Sequence, residues 1–463
     1  MTRQKPFLGD AVLHGEKLSN GVLPQPGATV PYWRSQLHWL DEHRSSDNLP
    51  TDCDIVVIGA GLSGVSFVYH LLQMYEKGCA PSIVLLEARQ VCSGATGRNG
   101  GHVKVRSTGV QLNKRRHGVA TAEDIARFVT AQIDALKNVI EKEEIECEFE
   151  LRRSFDVFLD EKEASAARKD FQNSVRAKER WTRDIAPVPE QYIEQITSVR
   201  GAKFALSMPA CSFWPYKLVT GLLEKCIGSI NLQTNTVVTR VVGGTKYSDV
   251  HTSRGTIRAT RVVFASNAYT GGIAPTYTGR IVPYKGSNSH IVSQIGAIAP
   301  QLTQTYNIAF KTGFTDYLNP RPDGSIVVGG AESAFRTLPT RESWYDNWDD
   351  ASLLPGIQEY YEGYMQRTFR GWTATDGKLW TGIMGQTSDG LPHVGRVVGR
   401  NNQFIMAGFN GGGMTMIYLT ARGLARIVKD DVVFSDTGIP LCFETSAERL
   451  AQMPMTASTN GCA

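Results

Sequence analysis

The feature that most constrains this chain is a glycine turn wedged between a buried strand and a helix. Asp54-Ile55-Val56-Val57-Ile58 is a continuous apolar run of the kind needed by a parallel strand covered on both faces. It breaks at Gly59-Ala60-Gly61-Leu62-Ser63-Gly64. Val65, Val68, Tyr69, Leu72 and Tyr75 then recur at helical spacing and predict a helix that stops near Gly78, and Ser82-Ile83-Val84-Leu85-Leu86-Glu87 predicts a second buried strand. Each part of this β-α-β unit has a physical role. Gly59 permits the tight turn, Gly61 lets backbone approach a pyrophosphate, and Gly64 allows close packing of helix on sheet. The helix start at Leu62 and Ser63 turns unpaired N–H groups and a positive dipole toward phosphates. Glu87, about 20 residues on, suits both ribose hydroxyls of an adenosine and repels a 2′-phosphate; Ala88 and Arg89 follow at the same strand end.

Composition narrows the class. Of 463 residues, 41% are hydrophobic and 20% charged, enough to bury a large core. A net charge of +4 spread over 49 basic and 45 acidic side chains describes a mixed surface, not a nucleic-acid footprint. No run approaches the ~18 consecutive apolar residues of a membrane span. The first ten residues lack a secretory apolar core, and the final Asn460-Gly461-Cys462-Ala463 matches no targeting signal, so a cytoplasmic protein is expected. The eight cysteines form no C-x-x-C pair and the nine histidines no H-E-x-x-H, so neither a disulfide framework nor a metal site is expected.

Along the chain, residues 1–51 read as an arm packed on the surface. A long helix is expected near Thr121, with Ile125, Phe128, Val129, Ile133, Leu136 and Ile140 on one face. Strand pieces follow at 149–153 and 156–159, then a charged helix over 161–181. Strands return at 230–265 and 280–370. The end of the chain reads as a strand at 404–407, a glycine cluster at 408–413 and a helix over 414–428. The predicted fold class is α/β: a Rossmann-like nucleotide-binding domain assembled from 52–118, 200–280 and 371–440. Interleaved with it is an α+β substrate domain with an antiparallel sheet, from 119–199 and 281–370, and a tail follows over 441–463.

Two further glycine clusters carry chemistry. Ser93-Gly94-Ala95-Thr96-Gly97-Arg98-Asn99-Gly100-Gly101-His102 cannot form regular structure cheaply and suits wrapping a flat polar group with backbone amides. Gly408-Phe409-Asn410-Gly411-Gly412-Gly413, leading into Met414 and Thr415, would aim helix-start amides at an electron-rich oxygen.

These stretches together resemble the D-amino-acid oxidase superfamily of FAD-dependent oxidoreductases, and most of all its γ-glutamylputrescine oxidase-like branch. The resemblance extends to 213–218, to Thr236-Val237-Val238 with Val238 on the adenine, to Ser266 and Asn267 near the dinucleotide, and to the motif containing Gly385. It implies noncovalent FAD, with the loop at 94–102 and the turn at 411–415 on the flavin half; a histidyl link through His102 is an alternative. It also implies hydride transfer to flavin N5 from a C–H beside an amine nitrogen, hydrolysis of the imine, and reoxidation by O2 or another acceptor. A dehydrogenase that uses a different acceptor and a non-catalytic flavin sensor are the alternatives. Candidate substrate orienters are Tyr284, Lys285, His290, Tyr317 and Arg321. Glycine oxidase-like members carry an Arg where this chain has Met384, and sarcosine oxidases carry a Cys near Gly382 and a Lys near Val327, neither present here. The missing Arg predicts an amine in preference to an α-amino acid, unless Arg321 or Lys285 supplies the charge.

Overall fold

The computed structural model describes residues 21–452 apart from 312, 337, 338 and 340. The terminal signals weighed above at the first ten residues and at 460–463 lie outside the described residues. Among the described residues, no helix is long and apolar enough to cross a membrane.

Two sheets organise the chain. In the first, Asp52–Ile58 lies between Gly255–Phe264 and Ile83–Leu86, parallel to both. Asn231–Gln233 and Gln403–Ala407 extend it in parallel on the two sides. His393–Arg396 closes one edge antiparallel, and Val238–Gly243 and Ser248–Thr252 form an antiparallel flap beside Gly255–Phe264. The central strands are buried along most of their length, which is why they read as unbroken apolar runs. Helices Leu62–Leu72, Val119–Lys142, Pro215–Cys226 and Ile417–Asp430 share one hydrophobic core on this side of the molecule.

The second sheet has the strand order Thr375–Gln386, Val282–Ser293, Ile326–Gly330, Phe314–Pro320, Thr305–Lys311, Glu150–Phe158, Phe204–Ser212, His102–Lys104. Its pairs are antiparallel except Thr305–Lys311 against Glu150–Phe158.

Several elements differ from the sequence reading. Strands His102–Lys104, Phe204–Ser212 and Thr375–Gln386 pair in the second sheet, although they fall in the ranges expected for the nucleotide domain. Helix Val119–Lys142, expected with the substrate domain, packs into the core beside the first sheet. A strand's apolar pattern reports that it is covered, not which partner covers it, so distant pairing decides these memberships. The two strand pieces at 149–159 are one strand, and the charged helix ends at Arg176, where Lys178 turns left-handed. The first helix ends at Leu72, and the last begins at Ile417 after a short turn over Gly413–Thr415. The arm is not a surface appendage either, for Trp33 and Leu40 are completely buried.

Helix Leu62–Leu72 is seated by one close approach. A Cβ on Gly64 would stand 1.9 Å from the Gly59 carbonyl oxygen and 3.3 Å from Val57. Gly→Ala within a helix ordinarily stabilises by ~1 kcal/mol. Here the expected result of Gly64→Ala is the opposite sign, a loss of about 1–3 kcal/mol or more in urea unfolding, because the helix must lift off the turn.

Candidate active site

A cleft runs along the carboxyl ends of the first sheet's parallel strands toward the second sheet. At one end it is walled by Gly59, Gly61, Ser63, Glu87, Ala88, Arg89 and Val238, all singled out from sequence. Gly94, Ala95, Thr96, Asn99, Ser266 and Asn267 line its middle, and Met384, Gly411, Gly413 and Met414 its far end.

The wall is held by hydrogen bonds that leave its polar faces toward the opening. The Glu87 carboxylate accepts from the backbone N–H of Ala60 (2.9 Å) and of Arg89 (3.0 Å). The Leu62 N–H donates to the Thr96 hydroxyl at 3.1 Å, which ties the first glycine turn to the second glycine loop. Asn99 staples that loop: its amide donates to Thr96 O (2.7 Å) and its side-chain oxygen accepts from Gly101 N–H (2.7 Å). The Asn267 side-chain oxygen accepts from Gly408 and Phe409 N–H, which joins the middle to the far end.

Nine sequence candidates stand behind this wall instead of on it: Leu62, Gly64, Arg98, Gly100, Gly101, His102, Gly385, Gly412 and Thr415. Arg98 is turned inward, its guanidinium donating to the carbonyls of Ser93 and Thr381 at 2.7 Å each. Burial pulls it down to about 10, opposed by the nearby Asp350. His102 lies against Tyr317 edge-on, its ring centroids 5.5 Å apart, and burial holds its imidazole neutral. Conversely, Leu23, Pro24, Tyr269, Ile383, Phe409 and Ile417 line the cleft and were not singled out. Apolar side chains carry no chemical signature in sequence, and the arm looked peripheral.

A strand–turn–helix with an acid at the next strand end, opening on a cleft at the carboxyl ends of the strands, is a dinucleotide architecture. Comparison with known proteins agrees. Residues 54–427 match the family described as DAO, FAD dependent oxidoreductase. The chain belongs to that family. It is 23% identical over 389 residues to the γ-glutamylputrescine oxidoreductase of Escherichia coli, covering 82% of this chain and 84% of that one. In fold it is similar to an L-amino acid deaminase from Proteus vulgaris (TM-score 0.66, 16% identity, 90% of this chain and 99% of that one). It is similar also to a glycine oxidase from Geobacillus kaustophilus (TM-score 0.65, 17% identity, 86% and 99%).

The cleft of this DAO-family chain fits the family's cofactor on an internal observation. Two buried polar atoms on its wall, the Tyr269 hydroxyl and Arg89 Nε, have no hydrogen-bond partner. Buried polar groups are rarely left so unless a ligand or water completes them.

At the far end, Tyr284 and Met384 face each other across paired strands. A Cβ on Gly411 would lie 2.8 Å from the Tyr284 hydroxyl and 3.4 Å from Met384 Sδ. Tyr317 is bonded through its hydroxyl to the Asn288 amide and packs against Gly100, behind the loop. The remaining charged candidates do not reach the cleft. Lys285 Nζ donates to the Ser352 hydroxyl at 2.8 Å and lies 3.4 Å from Asp349. Arg321 pairs with Glu148 through Nη2 alone at 2.7 Å, its Nε and Nη1 having no partner, and it lies over the Trp33 ring outside the cleft lining. His290 stacks under Tyr32 at 3.8 Å, and burial pulls it down to about 4.

Next to Tyr317, Asp316 faces the other side of the sheet. It accepts from Ala331 N–H (2.8 Å) and from the Tyr360 hydroxyl (2.6 Å). Burial pushes its carboxyl up from 3.8 to about 6. With the folded value above the unfolded one, the native state holds a proton through this window that the unfolded state has lost. The contribution of Asp316 to stability therefore falls as pH rises from about 4 to about 6, by up to ~3 kcal/mol. The difference in unfolding free energy between the protein and Asp316→Asn should shrink over that window; a constant difference contradicts the assignment.

Proposed function

We propose that this protein is an FAD-dependent oxidase of amine-type substrates, oxidising a C–N bond at the Met384 end of the cleft. FAD would lie along the cleft with its adenosine at Glu87 and Val238, its pyrophosphate at the start of helix Leu62–Leu72, and its flavin between the loop at 94–99 and the turn at 411–414. When bound, FAD supplies the hydride acceptor for the C–H beside the substrate nitrogen; the resulting imine is hydrolysed in water. The chain's own part is to position and to exclude. Tyr284, with a hydroxyl bonded to no other described residue, is suited to orient the substrate nitrogen. Met384, Ile383 and Phe409 form an apolar wall that keeps water from the reacting carbon. The turn at 411–414 offers backbone N–H groups to the flavin edge where negative charge grows.

The observation that carries the choice of amine over α-amino acid is the far end's lining. Ile383, Met384, Phe409, Gly411, Gly413, Met414 and Ile417 include no cation. A carboxylate enclosed there without a partner would cost several kcal/mol, on the order of 3–5. Arg321 and Lys285 do not line the cleft, and each holds an acid, Glu148 in the one case and Asp349 in the other. The names of the relatives leave the substrate open, since an amine, an amino acid and glycine all occur among them.

The same lining contains no cysteine, and His102 stands behind the loop, which supports noncovalent FAD. Acid precipitation should leave the yellow colour in the supernatant; colour in the pellet contradicts this. Substrate class is tested with an amine and its α-carboxylated analogue, following flavin bleaching anaerobically and its return on admission of air. The amine should bleach the flavin at least tenfold faster, and air should restore the colour within the turnover time. A tenfold preference for the carboxylated partner overturns the amine reading. Bleaching without recovery in air assigns the electrons to another acceptor.

A further inference from the structure

The family match begins at residue 54, yet the wall of the cleft begins earlier. Leu23 and Pro24 line its adenosine end, and the Gln25 carbonyl accepts from Arg89 at 3.0 Å. The arm lies flush on the turn before the cleft: a Cβ on Gly272 would meet the Val22 carbonyl oxygen at 2.4 Å. Further along, Thr29 N–H donates to Asp350 O at 2.8 Å, and the Thr29 hydroxyl accepts from Thr381 N–H and from Arg98, both at 3.1 Å. At the flavin loop, Trp33 Nε1–H donates to Asn99 O at 2.5 Å, while its ring fills the space where a side chain on Gly101 would stand. Arg34 closes the run on Asp41 (2.8 Å) and on the Val91 carbonyl (2.6 Å).

We propose that residues 21–34 form the outer wall of the cofactor site, a strap of this chain's own that covers the adenosine half of FAD and locks the loop under the flavin. Its anchors are cleft residues or their immediate holders: Arg89, Arg98 and Asn99. The strap and FAD are then thermodynamically coupled. Whatever the strap adds to FAD affinity, FAD adds in equal measure to the docking of the strap. FAD leaves only after the strap has lifted. This rests on the reading that FAD lies in the cleft.

The test uses the full-length FAD-loaded protein. FAD release is followed by recovery of free-flavin fluorescence after dilution. In parallel, trypsin cleavage after Arg34 is followed by mass in the loaded and FAD-depleted forms. The strap predicts at least tenfold faster release from Leu23→Gly/Pro24→Gly, residues that are only half-buried and so tolerable to the fold, and from Trp33→Phe, which keeps an aromatic ring there but loses the N–H and part of the indole's volume. It also predicts cleavage at Arg34 at least tenfold slower when FAD is bound. Release from both variants within twofold of the unaltered protein, or cleavage indifferent to FAD, overturns the strap. The cleavage comparison needs no variant, so it decides the matter if a variant misfolds. A protein that retains no FAD before dilution overturns the reading of the cleft itself, a result distinct from either.

Discussion

Four parts of the chain meet at the carboxylate and backbone of Asp350, whose side chain is 1% exposed. Its two oxygens take the two terminal nitrogens of the Arg89 guanidinium end-on at 2.9 and 3.0 Å, and Arg98 stands 3.6 Å away. Its carbonyl accepts from Thr29 N–H of the arm and from the Thr381 hydroxyl of the second sheet. A buried carboxylate is tolerable only where its charge is matched, and removing one partner of such a pair typically costs ~3–5 kcal/mol. The adenosine end of the cleft, the flavin loop, the arm and the second sheet thus share one electrostatic requirement. Burial opposes the charge on Arg89, and Asp350 more than restores it, so that this guanidinium is held cationic at the cleft wall.

That junction explains why the arginines of the loop segment divide in role. Arg89 and Arg98 look alike in sequence, each lying in a Gly- and Ser-containing stretch beside the presumed dinucleotide. Arg89 faces Asp350 with both NH groups, and its buried Nε has no partner. The other, buried deeper, uses Nε and NH1 on backbone carbonyls and leaves the cofactor to its neighbours. Arg321 and Lys285 follow the same rule in the second sheet. Each is buried and each holds an acid, Lys285 beside Asp349 and Arg321 through Nη2 on Glu148, and neither lines the cleft.

What could be read from sequence was local and covalently continuous. The strand–turn–helix–strand unit ending at Glu87 is such a case, because parallel strands covered on both faces must be apolar throughout and because a glycine is needed where Gly64 meets Gly59. The loop from Gly94 to Asn99 was legible for the same reason: glycine density marks close approach. Membership of Phe204–Ser212 and Thr375–Gln386 in one sheet or the other was not, since a strand's pattern is the same whichever neighbour pairs with it. The arm was misread because its anchors, Thr29 and Trp33, bond to backbone groups 352 and 66 residues away, and such partners leave no periodicity.

The far end of the cleft follows from these constraints. The side chains that line the cleft there, Ile383, Met384, Phe409, Met414 and Ile417, carry no charge. Thioether and aliphatic groups discriminate weakly among apolar shapes, by ~1–3 kcal/mol per methylene, but they reject an unpartnered carboxylate strongly. Selectivity built this way works by exclusion. An amine-type substrate, as proposed above, would meet no such penalty there, and the Tyr284 hydroxyl beside Gly411 would be the polar group placed to orient it.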